Sequence, residues 1–465
     1  MNAPLIVSAS GVRGVVDRTM TAGVAARYGA AFGTFLREAT ANGAASGHVL
    51  VGRDTRASGP SLAAAASAGL RASGWEVQDL GVVPTPTMLL ATRTDDRAAG
   101  CLIVTASHNP VEWNGLKLGA ATGRFLQPDA ARRVRELFER REEPETGAGV
   151  STPPENAAST GPIDRHVRGI LDLPIVDPRA IASADLLVAL DCVRGVGGLI
   201  VPSLLDALGC RYVGMDLEPD GRFPRAPEPV PENLGPLGDL VRDTEADLGM
   251  AIDPDGDRLA IVDERGRAIG EDWTLALAAE YVLGRRQGPV VTNLSSSQCI
   301  EDAADRGGVP LFRTPVGEIR VATRMMEVDA AVGGEGNGGV ILPDLNLTRD
   351  APLAATLVLG LLASRGRTVG ELLGGWPSYR MVKRKADRPG DPLEALYRRL
   401  ETDMGAGAAV DREDGLRLSW RTDREWIHVR PSGTEPILRI YAEAPDEDRA
   451  REIASRAEAI LAQES

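Results

Sequence analysis

Apolar residues are grouped into short runs separated by longer amphipathic stretches, and this arrangement recurs three times along the chain. Each instance consists of an apolar run, a loop rich in Gly or Ser, a helical pattern, a glycine and a second apolar run: HVLVGRDTRASGPSLAAAASAGLRASGWEVQDLG, LLVALDCVRGVGGLIVPSLLDALGCRYVGMD and PVVTNLSSSQCIEDAADRGGVPLFRTPVG. Strands alternating with helices at this spacing predict βαβ units and mixed, mostly parallel sheets. The long interval between instances predicts three related α/β domains, because solenoid repeats are shorter.

The pattern changes from about Tyr379. A strand and a helix from Leu393 precede a hairpin turn at 412–415, the strands EWIHVR and ILRIYAEA, and a helix from Asp446. This succession predicts an α+β domain with an antiparallel sheet. The segment at 141–162 is rich in Pro, Gly, Ser and Thr, and therefore predicts an exposed connection.

The expected division is an α/β domain at 1–150, a second at 151–252, a third at 253–376 and an α+β domain at 377–465. The apolar stretch at 351–363 is shorter than the roughly 20 residues of a membrane helix and predicts a core helix. The N-terminal run MNAPLIVSASGVRG has no basic start, so a signal peptide is not expected.

Composition narrows the possible classes of protein. The chain has 465 residues, of which 43% are hydrophobic and 4% aromatic, which is typical of several globular domains. Its net charge of −14 is spread along the chain and disfavours nucleic acid or an anionic membrane as a partner. The four cysteines lack a CxxC spacing, which predicts reduced, mostly buried thiols and a cytoplasmic location.

The run DPDGDR lies between two predicted strands and projects three carboxylates, those of Asp253, Asp255 and Asp257. Hard cations such as Mg²⁺ and Ca²⁺ prefer oxygen ligands, and three close carboxylates repel one another without a cation. A calcium loop is the nearest alternative because Glu264 falls at its twelfth position. However, Arg258 stands where that loop requires glycine, and strands rather than helices flank the run. The run therefore predicts a divalent cation site.

The run VTASHNP follows a predicted buried strand and places Ser107 and His108 in a loop. Ligands of open α/β sheets bind outside the carboxyl ends of the strands, which favours a nucleophile here. The structural alternative is an Asn-Pro turn with a capping serine. Taken alone, the run leaves both open.

Two further loops carry polar side chains suited to a sugar phosphate. In GGEGNGG, glycines allow a close backbone approach, and Glu335 and Asn337 are candidates to hold sugar hydroxyls. RPSGTEP offers a cradle of side chains and loop amides for a phosphate, with Arg439 as a second cation. The cradle residues are Arg430, Ser432, Gly433 and Thr434. Flexible turns are the structural alternative for both loops.

In this order, TASHNP, DPDGDR, GGEGNGG and RPSGTEP resemble the motifs of the α-D-phosphohexomutase superfamily, which contains phosphomannomutases, phosphoglucomutases and phosphoglucosamine mutases. SGVRG, GRDTR, NGLKL and TPVG are also similar to family signatures, so the resemblance extends over nearly the whole chain. It implies three α/β domains and a C-terminal domain of a different type around a central cleft.

The resemblance also implies the reaction. A hexose 6-phosphate and a hexose 1-phosphate are interconverted through a phosphoserine and a 1,6-bisphosphate, which also acts as activator. Ser107 is expected to carry the phosphoryl group, and one of its phosphate oxygens is expected to bind Mg²⁺ together with the three aspartates.

Other roles are implied in the same way. Arg13 and Arg258 are expected to support the phosphate on Ser107. Lys117 is the expected proton-transfer partner of the sugar hydroxyl, with His108 as the second candidate. Arg430, Ser432 and Thr434 are expected to bind the phosphate that is not reacting.

The chain departs from the family in the sugar loop. Bacterial relatives usually follow the glutamate with x-Ser-Gly-His, whereas residues 336–339 here are Gly-Asn-Gly-Gly. This version resembles archaeal-type phosphoglucosamine mutases and favours glucosamine phosphate, with phosphomannomutase or phosphoglucomutase as the alternative. A silent sugar-phosphate-binding protein and a phosphatase are remoter alternatives, because neither needs the full set of motifs.

Overall fold

The computed structural model of the protein describes residues 4–8, 11–39, 47–140, 160–388, 391–432 and 437–462. These residues form four sheets, each flanked by helices. Most of the connection predicted at 141–162 lies outside the described residues.

The first sheet is mixed and has the strand order β1-β2-β6-β5-β3-β4. Only its β3–β4 and β3–β5 pairs are parallel. Its elements are β1 Ile6–Ser8, β2 Gly11–Val15, α1 Ala22–Ala39, β3 His48–Arg53, α2 Gly59–Ala72, β4 Glu76–Val82, α3 Thr85–Thr94, β5 Ala98–Val104, β6 Trp113–Ala120 and α4 Pro128–Glu139.

The second sheet has the order β10-β9-β7-β8, with β9–β7 and β7–β8 parallel and β10–β9 antiparallel. Its elements are α5 Thr160–Leu171, α6 Pro178–Ser183, β7 Leu187–Asp191, α7 Gly197–Ala207, β8 Arg211–Met215, α8 Gly235–Thr244, β9 Leu248–Ile252 and β10 Leu259–Val262. The boundary expected after residue 252 therefore falls between two paired strands. The acidic run connects them, so it belongs to the second sheet and not to the start of the third domain.

The third sheet has the order β12-β11-β13-β14, and only β13–β14 is antiparallel. Its elements are α9 Asp272–Leu283, β11 Val290–Asn293, α10 Cys299–Gly307, β12 Leu311–Thr314, α11 Glu318–Glu327, β13 Val332–Glu335, β14 Gly339–Ile341, α12 Ala351–Arg365 and α13 Val369–Leu373. The predicted core helix is α12. Asp350 caps its N-terminus by accepting from Leu353 N at 3.0 Å, and Gly366 ends it in a left-handed conformation.

The fourth sheet is antiparallel throughout, with the order β15-β19-β18-β17-β16. Its elements are β15 Arg380–Asp387, α14 Leu393–Met404, β16 Ala409–Asp411, β17 Leu416–Trp420, β18 Glu425–Pro431, β19 Ile437–Ala444 and α15 Glu447–Leu461. The α+β prediction and its hairpin are confirmed. Helices α14 and α15 cover the apolar face of the sheet, because alternate strand residues such as Leu438 and Ile440 point to that side.

Each of the three predicted repeats is a strand, a helix and a second strand that pairs parallel to the first, as in β3-α2-β4, β7-α7-β8 and β11-α10-β12. The apolar residues of the second and third units form one continuous core, in which Leu190 and Leu248 of one unit join Leu277 and Leu357 of the other. These units are therefore held together by buried apolar surface.

Candidate active site

Three loops that begin at strand ends meet at one site. The loop after β5 carries Ser107, the β9–β10 loop carries the three aspartates, and the β13–β14 loop begins at Glu335. Ser107 Oγ donates a hydrogen bond to Asp253 Oδ2 at 3.0 Å, which joins the first two loops. Leu259 N donates to Gly338 O at 3.0 Å and joins the second to the third. Strand ends are the usual ligand-binding edge of such sheets.

Ser107 is buried and has a positive φ of 49°, in the left-handed region that non-glycine residues rarely adopt. Its main-chain N–H donates to Thr105 Oγ1 at 2.9 Å. Strain of this kind is concentrated at functional sites, where surrounding contacts maintain it. The geometry therefore favours the nucleophile over the simple turn.

Arg56, from the GRDTR run, holds this loop in shape. Its side chain is fully buried, and Nε donates to Asp54 Oδ2 at 3.0 Å. The two Nη atoms donate, at 2.6–3.0 Å, to the main-chain carbonyls of Ser107, Asn109, Pro110 and Trp113. All five guanidinium N–H groups thus have acceptors.

The three aspartates of the acidic run are buried, and one ligand oxygen from each lies within 4.8 Å of the others. Asp253 Oδ1 accepts the main-chain N–H groups of Asp257 and Arg258, both at 3.0 Å. Burial, and then the neighbouring carboxylates of Asp257 and Asp255, raise the pKa of Asp253 well above its usual range. Crowded, desolvated carboxylates of this kind call for a positive partner.

The other two aspartates have one oxygen bound by protein groups. Asp255 Oδ2 accepts from Thr85 Oγ1 at 2.8 Å and from Lys117 Nζ at 2.7 Å. Asp257 Oδ2 accepts from Arg349 Nη2 at 2.6 Å. Burial alone would raise the pKa of Asp255, but the Lys117 ammonium and the hydrogen bonds lower it far below its usual value.

The remaining oxygens of these two aspartates test whether a cation fits. Asp255 Oδ1 and Asp257 Oδ1 are buried and find no hydrogen-bond partner among the described residues. Unsatisfied buried carboxylate oxygens are costly, and a hard divalent cation satisfies them. The donor set therefore fits a divalent cation that prefers oxygen ligands.

Lys117 and His108 have opposite protonation behaviour. Burial would lower the pKa of Lys117, but Asp255 and Asp257, at 2.7 and 3.7 Å from Nζ, raise it above its usual value. The pKa of His108 is lowered well below 6.5, first by burial and then by Arg258 and Arg13. Near neutral pH, Lys117 holds a proton and the imidazole of His108, with Nδ1 at 3.3 Å from Ser107 Oγ, can accept one.

Arg13 and Arg258 lie beside the serine loop. Arg13 Nη1 donates to Asn109 Oδ1 at 3.2 Å. Arg258 Nη1 lies 3.3 Å from Glu228 Oε1, and its Nε lies 3.7 Å from Asp257 Oδ1. Both cations also act on His108 of the serine loop, since each lowers its pKa.

Glu335 is buried at the end of β13 and its carboxylate is well oriented. Oε1 accepts from Asn293 Nδ2 at 3.0 Å and from Gly317 N at 3.1 Å, and Oε2 accepts from Arg349 Nη1 at 2.8 Å. Asn337 is half-buried, and its Oδ1 accepts from Gly339 N at 3.2 Å. The loop therefore presents a carboxylate and an amide in defined orientations.

The predicted phosphate cradle lies on the fourth sheet. Arg430 on β18 is directly opposite Arg439 on β19, which in turn is opposite Lys385 on β15. Three basic side chains thus lie at neighbouring positions of adjacent strands, an arrangement suited to bind an anion. Arg430 Nε forms an ion pair with Asp414 Oδ2 at 2.9 Å. Ser432 N donates to Ile437 O at 2.9 Å, while Gly433 and Thr434 lie outside the described residues.

Sequence reasoning assigned no role to Arg56, Thr85 or Arg349, although each holds a site loop or an aspartate. The GRDTR signature, which contains Arg56, could have pointed to this residue. Thr85 and Arg349 belong to no motif identified in the sequence, and only the fold shows their contacts with residues far along the chain.

The full length of the chain matches known proteins. Four family models match it in order: "Phosphoglucomutase/phosphomannomutase, alpha/beta/alpha domain I" at 5–145, domain II at 164–266, domain III at 270–379 and the C-terminal domain at 381–460. A protein of Methanopyrus kandleri named "Probable phosphoglucosamine mutase" is 38% identical over 451 residues, which is 96% of this chain and 95% of the relative. A "Phosphoglucomutase/phosphomannomutase" of Thermococcus kodakarensis is 38% identical over 449 residues, or 95% of each chain.

A solved structure agrees with these matches. The crystal structure of a phosphoglucomutase/phosphomannomutase family protein from Burkholderia thailandensis is 29% identical, with a TM-score of 0.82 and coverage of 100% of this chain and 99% of the other. The matches indicate an isomerase that transfers a phosphoryl group between two positions of a hexose phosphate. The chain belongs to the phosphoglucomutase/phosphomannomutase family of the α-D-phosphohexomutase superfamily.

The predicted burial of the cysteines is confirmed, since all four are free thiols in the protein interior. Among the residues that the structure describes, none of the helices has both the length and the apolar character of a bilayer-spanning segment.

Proposed function

We propose that this phosphohexomutase interconverts the 6-phosphate and 1-phosphate of a hexose through a phosphorylated Ser107, with glucosamine phosphate as the preferred substrate. The phosphoserine is supported most directly by the position of the Ser107 hydroxyl. It belongs to a strained loop and lies 3.0 Å from Asp253, one of the three buried aspartates.

The metal-binding residues are Asp253, Asp255 and Asp257, and we take Mg²⁺ as the ion because the ligands are all carboxylate oxygens. When bound, such an ion neutralises charge on a phosphoryl group in transfer. Arg13 and Arg258 bind the phosphoryl oxygens from the side of the serine loop.

Transfer begins when a sugar hydroxyl attacks the phosphorus on Ser107. The bond from phosphorus to Ser107 Oγ breaks, the new bond to the sugar oxygen forms, and the hydroxyl proton passes to a side-chain base. Lys117, whose Nζ lies 2.7 Å from Asp255 Oδ2, is the first candidate for this proton transfer, and His108, whose Nδ1 lies 3.3 Å from Ser107 Oγ, is the second. The product is a 1,6-bisphosphate, which donates its other phosphate back to Ser107.

This cycle requires the sugar to bind in two orientations. Arg430, Ser432 and Arg439, together with Gly433 and Thr434, hold whichever phosphate is not reacting. Glu335 and Asn337 hold sugar hydroxyls that both orientations present. A sugar 1,6-bisphosphate also serves as activator, because it phosphorylates Ser107 when that residue has lost its phosphate.

Glucosamine phosphate is favoured by the Gly-Asn-Gly-Gly sequence at 336–339 and by the name of the M. kandleri relative. The T. kodakarensis relative is equally similar and is named for glucose and mannose phosphates. The alternative substrates are therefore glucose and mannose phosphate. Since a site that makes no contact with the substituent at C2 discriminates weakly, we expect measurable turnover of all three.

The test compares kcat/KM for the 1-phosphates of glucosamine, glucose and mannose under the same bisphosphate activation, while phosphate release is measured in parallel. Glucosamine phosphate is expected to be best, with isomerisation much faster than release. A preference of about ten-fold or more for another sugar, or about 1.4 kcal/mol in transition-state binding, contradicts the substrate assignment. Release as fast as isomerisation indicates a phosphatase, and binding without either reaction indicates a silent homologue.

The four buried, free thiols support a reducing, cytoplasmic environment for the enzyme.

A further inference from the structure

Arg349 lies in the loop before α12 and connects two parts of the site. Its side chain is only 9% exposed. Nη2 donates to Asp257 Oδ2 at 2.6 Å, and Nη1 donates to Glu335 Oε2 at 2.8 Å. One guanidinium thus binds a carboxylate of the metal loop and the carboxylate of the sugar loop.

A third carboxylate, that of Glu318, also holds the Arg349 guanidinium. Arg349 Nε lies 3.2 Å from Glu318 Oε2. Glu318 Oε1 accepts from Arg349 N at 2.9 Å and from Thr348 Oγ1 at 2.7 Å. Because Glu318 binds both the main chain and the side chain of Arg349, the planar group has little freedom to turn.

Gly339 leaves the space that the arginine stem occupies. A Cβ at position 339 would lie 2.1 Å from Arg349 Cδ, and no positive φ makes glycine necessary there for conformational reasons. Any side chain at this position would therefore displace Arg349. Glycine at position 339 and the placement of Arg349 are thus two aspects of one arrangement.

We propose that Arg349 is a positioning residue that holds Asp257 for the metal ion and Glu335 for the sugar in one rigid arrangement. The proposal rests on the proposed function, because the roles of Asp257 and Glu335 do. It is supported by the division of oxygens on Asp257: Arg349 holds Oδ2, whereas Oδ1 is buried without a hydrogen-bond partner among the described residues. Outer contacts of this kind orient metal ligands.

The competing explanation is that Arg349 only balances the charge of three buried carboxylates. The two explanations predict opposite changes in Mg²⁺ affinity when Arg349 is removed. If Arg349 were only a counter-charge, its removal would leave more negative charge beside the metal site, and Mg²⁺ would bind more tightly. If Arg349 positions Asp257, its removal weakens Mg²⁺ binding despite the added negative charge.

The experiment uses the full chain and the variants R349K, R349M and G339A. Mg²⁺ binding is measured by calorimetry without substrate, and KM and kcat are measured with glucosamine 1-phosphate. Lysine keeps the charge but cannot bind two carboxylates as a fork. We therefore expect R349K and R349M to weaken Mg²⁺ binding about ten-fold or more and to raise KM. G339A should shift both quantities in the same direction, because its methyl group displaces the arginine.

A control is R449K, since Arg449 is likewise held by hydrogen bonds to a carboxylate, that of Glu425, from Nε at 2.8 Å and Nη2 at 2.9 Å, in a different part of the chain. This variant should keep wild-type Mg²⁺ binding and KM. In an E335Q background, R349K should raise KM no further, although it should still weaken Mg²⁺ binding. A structural role alone would not produce this separation.

Tighter Mg²⁺ binding in R349M, or wild-type Mg²⁺ binding in R349K, would overturn the proposal. If the R349 variants do not fold, unchanged Mg²⁺ binding and KM in G339A would also overturn the proposal. The Mg²⁺ titration requires no turnover, so the proposal can fail while the wild-type enzyme still isomerises its substrate. If the proposed function fails instead, the wild-type protein shows no isomerisation in the same assay.

Discussion

The reaction half of the site and its phosphate cradle are attached to the molecule in different ways. The reaction half lies on loops of the first three sheets, and the second and third of these units share one apolar core. The cradle lies on the C-terminal sheet, whose apolar residues form a separate core with α14 and α15. Two of the three units that carry the reaction half thus share one interior, whereas the first sheet and the C-terminal sheet each have cores of their own.

The contacts between the C-terminal sheet and the third unit are polar. Glu443 on β19 accepts from Gln298 N at 2.9 Å, and Lys383 on β15 donates to Glu271 at 3.1 Å. A cavity of about 740 Å³ lies at this interface. Polar interfaces between domains permit relative motion, whereas a shared apolar core resists it. We therefore expect the aspartate loop and the β13–β14 loop to keep a fixed mutual arrangement, and the C-terminal sheet to move relative to them.

The largest effect is expected from removing the proposed phosphoryl carrier in the reaction half. S107A should lower mutase activity about 1,000-fold or more, because no other group can replace the covalent step. Intact-mass analysis should show one phosphate on the wild-type protein and none on the variant. S67A, a buried serine of α2, is the control and should retain both activity and phosphate. Phosphate located on another residue would contradict the assignment.

D255N should reduce turnover about 10- to 100-fold and increase the Mg²⁺ concentration required, since it removes a charged ligand from the acidic run. Chelator should abolish wild-type activity, and added Mg²⁺ should restore it. D263N is a suitable control, because Asp263 is a buried aspartate in the turn after β10. Full turnover in excess chelator would exclude the metal role.

R430A tests the movable half. It should raise KM about ten-fold for both the 1-phosphate and the 6-phosphate, because each presents its non-reacting phosphate to the same cradle. The control R398A removes a largely exposed arginine of α14, which pairs only with Glu394 of the same helix among the described residues, and should leave KM unchanged. An effect on one isomer only would mean that the two orientations do not share the cradle.

The smallest effect concerns the polar interface itself. His428 Nε2 donates to Asp414 O at 2.7 Å, and Nδ1 accepts from Ser295 Oγ at 2.8 Å across the interface. Burial, with Arg417 and Arg430 nearby, lowers the pKa of His428 from 6.5 to about 4. As pH falls through this window the unfolded chain takes up a proton that the folded protein does not, so stability decreases.

Between pH 6.5 and about 4, the wild-type Tm should therefore fall about 2–4 °C further than that of H428Q, which cannot take up this proton. Thermal unfolding of both proteins across this range provides the measurement. Equal changes in Tm would show that the pKa of His428 is the same in the folded and the unfolded protein.

Features of the fold could be predicted from the sequence where the interacting groups lie close together along the chain. The repeated units were predictable because each buries an apolar run next to a local helix. The short edge strand β14, with only three residues, left no detectable pattern. The antiparallel return of β10 moved the acidic run into the second sheet, because a boundary drawn by composition cannot detect strand pairing.

Within the site, residue types were predictable and contacts were not. Ser107 and Asp253 were each identified from their own runs, but their contact spans 146 positions and depends on the fold. Arg349 was missed because it contributes one charge to a segment without a motif, and its importance comes only from the carboxylates that surround it.

The five side-chain hydrogen bonds of Arg56 have a consequence for how the proposed cycle starts. Four of them bind main-chain carbonyls of the serine loop, and the fifth binds Asp54. None involves the hydroxyl of Ser107, so the shape of the loop does not depend on what that oxygen carries. If Ser107 carries the phosphoryl group as proposed, an enzyme molecule that has lost its phosphate to water would keep the same loop shape, and a bisphosphate would return it to the cycle without refolding of the loop.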